Sequence, residues 1–164
     1  MSDVDPRELR RVVGHFATGV TVVTAARDAR PCGLTVNSFA SVSLDPPLVL
    51  VCLARSARAY ACIDAAERFA VNVLAEGQEE IARVFASKMA EDKFAGVPYR
   101  RSPHGLPIID GVHAWLECEP IARHPGGRTH TIYVARVTDL AAGEGRPLVF
   151  HAGRYERLGR ATAR

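Results

Sequence analysis

The sequence offers few of the features that announce a site. Its four cysteines, at 32, 52, 62 and 118, include no C-x-x-C pair and no zinc-like spacing. Its six histidines, at 15, 104, 113, 124, 130 and 151, offer neither H-x-x-x-H nor H-E-x-x-H, so no ligand set for a metal can be assembled from spacing. There is no G-x-S-x-G, no phosphate-binding Walker loop, and no G-x-G-x-x-G between a strand and a helix. Aromatic residues are only 7% of the chain and are not interleaved with Lys and Arg, which speaks against a nucleic-acid surface. No apolar run approaches the roughly 20 residues a membrane helix needs. The opening "MSDVDPRELRR" lacks the apolar core of a signal peptide. The expectation is a soluble cytoplasmic protein with no nucleic-acid or membrane partner.

What remains is ordinary for a globular chain. The 164 residues are 48% hydrophobic and 24% charged, enough for one domain, 1–164, that buries roughly two thirds of its unfolded surface. Basic residues number 21 against 18 acidic, a net charge of +3. That mild excess favours anionic small molecules and contains no polybasic run.

Asp5-Pro6 with Glu8 is a helix start, and Leu9, Val12, Val13 and Phe16 repeat at helical spacing. "VTVVTA" (20–25) reads as a strand, "RDARP" (27–31) as a turn, and 48–53 as a buried aliphatic strand holding a reduced Cys52. A short helix is expected over 60–67, a strand over 68–74, and a helix from Gln78 to about Phe94 on Ile81, Val84, Phe85 and Met89. The stretch 95–111, rich in Pro and Gly, reads largely as loop. Strands over 112–123 and 129–140 flank the turn "HPGGR", and one or two short strands close the domain. Strands do not alternate with long helices, which excludes a doubly wound parallel sheet. A mainly β protein with peripheral helices, an antiparallel closed or split barrel, fits the order.

Three stretches carry candidate chemistry. In "CGLTVNSFASVSL" (32–44), Thr35, Asn37, Ser38, Ser41 and Ser43 thread short polar groups through apolar residues. They either satisfy turn amides and carbonyls or line a flat ligand with polar edges. In "ARSARAY" (54–60), Arg55, Ser56 and Arg58 either cradle a phosphate or form a solvated loop. His130, between threonines at a strand start, either orients a ligand or sits half exposed.

Taken in order, "FATGVTVVTA", "GLTVNSFASVSLDPPLVLVCL", "RSAR", "FAVNVL", "FASK…DKF", "GLPIIDGVHAWLECE", "THTIYVARV" and "PLVFHAGRY" span about 12–158. This succession resembles the flavin reductase-like, FMN-binding split-barrel family, the short-chain flavin reductases that partner two-component flavin monooxygenases. The resemblance implies an antiparallel split β-barrel, a homodimer, FMN or FAD in a groove near the subunit interface, and NADH or NADPH as co-substrate. It also implies a separate flavin-dependent monooxygenase that receives the reduced flavin. By position, Thr35, Val36, Asn37, Ser38 and Ser41 would line the ring, and Cys52, Leu53 and Ala54 would continue that wall. Arg55 and Ser56 would approach the ribityl phosphate, Phe85 and Ser87 would come from a helix, and Lys93 would reach a phosphate. His130 would orient the nicotinamide as the catalytic residue, and His151, Gly153 and Tyr155 would border the cleft. Ala54 stands where many relatives carry Asn, and "GGRTH" spaces Gly127 from His130 by one residue more than the common form. Two other readings remain: a split-barrel flavoprotein that keeps FMN and reduces another acceptor, and a non-catalytic small-barrel binding module.

Overall fold

The computed structural model describes residues 4–159. At its start the Asp5 carboxylate accepts from the Arg7 N–H at 2.8 Å and caps α1 (Pro6–Val13). The β-branched stretches that follow form β1 (Thr18–Gly19), β2 (Thr21–Arg27), β3 (Arg30–Val36), β4 (Phe39–Leu44) and β5 (Pro47–Ala54). Then come α2 (Tyr60–Ala65), β6 (Phe69–Val73), α3 (Glu79–Ala86), β7 (Tyr99–Arg101) and β8 (Pro107–Ile109). Two long strands, β9 (Ala114–Gly126) and β10 (His130–Ala142), and the short β11 (Val149–His151) and β12 (Arg154–Glu156) complete the chain.

Seven strands form one antiparallel sheet in the order β3-β2-β6-β9-β10-β5-β4. Its two edge strands, β3 and β4, are consecutive in the chain and joined only through Asn37 and Ser38. The sheet therefore curls until its edges meet at that corner, where β3 and β4 do not pair. This is the expected mainly β, antiparallel split barrel.

Alternation along each strand decides what faces inward. On β5, Val49, Val51 and Leu53 enter the barrel core beside Phe69 and Tyr133, while Leu50 and Cys52 point the other way and stay half-buried. Cys52 is thus a free thiol at an intermediate depth and lies outside that core. Strand β2 is buried on both faces. Val23 and Ala25 join the barrel core, and Val22, with Val20 just before the strand, meets a second cluster under α3 built on Phe85, Phe94 and Ile109. Between the layers, Asn72 donates to the Val22 carbonyl at 3.1 Å and accepts from the Ile109 N–H at 2.9 Å, which fastens β8 to the sheet. A Cys32–Cys62 disulfide ties β3 to α2, a pairing that no spacing motif in the sequence marks.

Three expectations change. The third helix stops at Ala86 and does not run to Phe94, because side chains take over its end. Ser87 turns extended and its hydroxyl accepts from the Met89 N–H, while the Lys93 ammonium donates to the Phe85 carbonyl at 2.7 Å. Met89, which falls at helical spacing, is consequently exposed. The Pro- and Gly-rich stretch holds a small two-stranded sheet, β7 with β8. The apolar face of α1 contacts no core: none of the helix's residues is buried, and Leu9, Val12, Val13 and nearby Phe16 are all exposed.

Gly33 lies directly under the buried Phe85 ring, so that a Cβ there would stand 2.7 Å from a ring carbon. Gly33→Ala is expected to lower stability by about 1–3 kcal/mol through overpacking. Urea unfolding should show a lower midpoint with an unchanged slope.

Candidate functional site

The corner between β3 and β4 is held by two reciprocal bonds to β5. The Cys52 N–H donates to the Ser38 carbonyl at 3.2 Å, and the Ser38 hydroxyl donates to the Cys52 carbonyl at 2.9 Å. With its edge strands spent in this way, the sheet leaves a groove of about 630 Å³. Asn37, Ser38, Phe39 and Ala40 form one wall, with Leu50 from the outer side of β5. Val13, Phe16 and Thr18 follow from the N-terminal segment, and Phe150 and Gly153 close the opposite side. The lining is mainly apolar, in the size range of small-molecule sites. Behind this lining, the hydroxyl oxygen of Thr18 is buried and has no hydrogen-bond partner among the described residues. A buried hydroxyl without a partner costs about 1–3 kcal/mol.

The outer face of β5 continues away from the groove, Leu50 to Cys52 to Ala54, about 14 Å at strand rise. At its end a second set of expected residues meets. Ala54 lies opposite His130 across the β5–β10 ladder. The Arg55 N–H donates to the Thr129 carbonyl at 2.9 Å, and its Nε donates to the Thr131 hydroxyl at 3.1 Å. His130 is exposed, its Nδ1 2.8 Å from the Thr129 hydroxyl, and Ser56 lies in the exposed turn after β5.

A third set lies at a smaller cavity of about 140 Å³, where Arg58 and Lys93 line the same space as Glu91 and Asp92. Burial, and then the Arg58 charge, hold the Lys93 ammonium below the usual lysine range.

The structure brings Asn37, Ser38 and Gly153 together in the groove, with Cys52 bonded to Ser38 behind the wall. Thr35 instead donates to the Ala82 carbonyl of α3 at 2.7 Å, and Val36 is buried. Leu53 and Phe85 have fully buried side chains, leaving only their backbones to face a ligand. Ser41 is exposed on β4, and Ser87 caps α3. Tyr155 packs on Phe150 and carries the Arg83 guanidinium over its ring at 5.0 Å, while His151 lies edge-on to His15. Among the described residues no cluster of three or more His, Cys, Asp or Glu could hold a metal.

Thr18, Leu50, Phe150 and Phe16 are the site residues that sequence reasoning passed over. Leu50 was legible in principle from strand alternation. Phe150 and Thr18 were not, because they meet only through the β1–β11 pairing, Thr18 opposite Phe150.

Comparison with known proteins is consistent along most of the chain. The family profile described as "Flavin reductase like domain" matches residues 13–159. The reductase subunit of a flavin-dependent monooxygenase from Mycobacterium tuberculosis is 42% identical over 156 residues, covering 94% of this chain and 83% of that protein. A flavin reductase from Pseudomonas putida is also 42% identical over 156 residues, with 94% and 91% covered. Two Rhizobium meliloti relatives are longer, and the chain spans 58% of one and 43% of the other. Among solved structures, the NADH:FAD oxidoreductase of Streptomyces globisporus, in complex with NAD and FAD fragments, superposes with a TM-score of 0.88. It shares 41% identity, and the match covers 97% of this chain and 98% of that one.

Thr18→Val removes the unpartnered hydroxyl with little change of shape. The ligand-free protein is expected to keep or gain stability, by up to ~1 kcal/mol, measured by urea unfolding. A clear loss would mean that the hydroxyl already has a partner in the free protein.

Proposed function

The chain belongs to the flavin reductase-like domain family, and on that premise we propose that its groove seats a flavin for reduction by NAD(P)H. The observation that carries this reading is the groove itself: an apolar slot at the open corner of the barrel, lined by Phe39, Leu50 and Phe150 with Asn37 and Ser38 as its polar edge. A flavin has that profile, with apolar ring faces and a polar edge. The enzyme is an NAD(P)H:flavin oxidoreductase, and the reduced flavin, FMN or FAD, serves a separate monooxygenase.

Bound together, the two cofactors supply the redox chemistry, a hydride passing from nicotinamide C4 to flavin N5. The protein's part is positional. Phe39, Leu50 and Phe150 would keep water from the ring faces, while Asn37 and Ser38 would offer polar groups to its edge. Holding the reacting atoms at about 3–3.5 Å is the main catalytic contribution such a site needs. No side chain has to remove a proton, which agrees with the lack of a triad or an acid–base pair in the groove. Arg55, at the far end of the β5 wall, is the group we assign to the flavin phosphate, and His130 stands beside it, about 14 Å along the strand from Leu50. Their common anchorage through Thr129 and Thr131 sets their spacing.

We also infer a homodimer. Leu9, Val12, Val13 and Phe16 form an apolar ridge beside the groove that none of the described residues covers. A second copy covering that ridge would close the groove from water. Leu9→Glu with Val12→Glu should shift the protein from dimer to monomer in size-exclusion chromatography with light scattering. A wild-type monomer at micromolar concentration would refute the dimer.

For the reaction, purified protein should oxidise NADH or NADPH only when FMN, FAD or riboflavin is supplied. Leu50→Glu, which puts a charge on the apolar wall, should raise the flavin KM at least tenfold. Absence of flavin-dependent oxidation with all three flavins at high protein concentration would overturn the proposal.

A further inference from the structure

The groove opens on one side into a second cavity, of about 340 Å³, that shares Arg10, Gly14 and Gly153 with it. Arg7, Arg10 and Arg11 line this cavity from α1, spaced so that they fall on one helical face. That face lies opposite the apolar ridge of Leu9, Val12, Val13 and Phe16. His15 adds a fourth nitrogenous side chain, and its ring stands 6.2 Å from that of His151.

The charge there is not balanced. Among the described residues no carboxylate lines the cavity. Of the acids on this segment, Glu8 is engaged by Arg11 at 2.6 Å, and the Asp5 side chain caps the helix. Arg7 and Arg10 have no carboxylate partner among the described residues.

The opposite wall is the two-residue β11–β12 hairpin turn, with Ala152 at φ 48° and Gly153 at φ 79° as such turns require. The Ala152 N–H donates to the Gly14 carbonyl at 2.8 Å and fastens the turn to the end of α1, between cavity and groove.

We propose that this cavity binds the diphosphate of the nicotinamide dinucleotide, with Arg7 and Arg10 as its principal contacts. The assignment rests on the reductase reading above, because it takes the nicotinamide ring to lie in the adjoining groove. Two guanidinium groups without a carboxylate partner suit a dianion, each able to give paired charged hydrogen bonds. The other basic cavity, with Arg58 and Lys93, is less suited: Glu91 and Asp92 line it as well, and it shares no lining residue with the groove.

The test is Arg7→Ala with Arg10→Ala, and the milder Arg10→Lys. Since α1 buries none of its residues, these changes do not threaten the core. With riboflavin as acceptor, so that the nicotinamide dinucleotide carries the only phosphates, the double variant should raise the NADH KM about tenfold with kcat within twofold of wild type. Arg10→Lys should recover part of that loss. ADP-ribose, which keeps the diphosphate and lacks nicotinamide, should bind wild type in calorimetric titration and bind the double variant at least tenfold more weakly. An unchanged NADH KM together with unchanged ADP-ribose affinity overturns the proposal. So does a KM increase seen with FMN but not with NADH, since that would give the cavity to the flavin phosphate. If wild type shows no flavin-dependent oxidation at all, the reductase reading fails, and the ADP-ribose titration decides the cavity alone.

Discussion

The structure depends on how a seven-stranded antiparallel sheet disposes of its two edges. An open edge exposes unpaired amides and carbonyls, and proteins close, cover or blunt it. Here the edge strands β3 and β4 are neighbours in the chain, so a two-residue corner must bring them round. The Ser38–Cys52 bonds do so with one backbone donor and one hydroxyl. Because that closure is a corner and not a ladder, the barrel stays split, and the split becomes the wall of the groove.

The same closure gives β5 two roles. Its inward residues, Val49, Val51 and Leu53, anchor the barrel core. Its outward residues carry the wall from Leu50 past Cys52 to the Ala54–His130 pair. The core is thus what holds the site in shape, since the side chains that fix the strand and those that face the groove alternate along one backbone. The N-terminal helix works differently. It contributes nothing to the core, and its two faces border the groove, one apolar and exposed, the other basic and turned toward the neighbouring cavity.

Much of this was readable from residue order. The helix start at Asp5-Pro6 and the strands around 20–25, 48–53 and 129–140 all follow from propensity, period and turn chemistry. The polar residues of 35–43 were harder to interpret. Asn37 and Ser38 do reach the groove, but Thr35 is occupied in a bond to α3. Side-chain type alone cannot separate the two, because a short hydroxyl serves a neighbouring carbonyl and a ligand equally well. The overlong third helix fails for a similar reason. Helical spacing of Ile81, Phe85 and Met89 says nothing of Ser87 and Lys93 capturing the helix end.

By itself, then, the sequence determined the succession of strands along the chain, the β class and the set of residues from which a flavin-type site would be drawn. Those follow from local preferences and from a succession of motifs, both of which are properties of a chain read in one dimension. Tertiary structure alone decided that Thr18 and Phe150 face each other in the groove, that Cys32 and Cys62 are joined, and that Arg7 and Arg10 find no carboxylate partner among the described residues. Each of these depends on contacts between segments far apart in sequence, set by how the sheet curls and where the chain's ends return to it, and no local pattern records that.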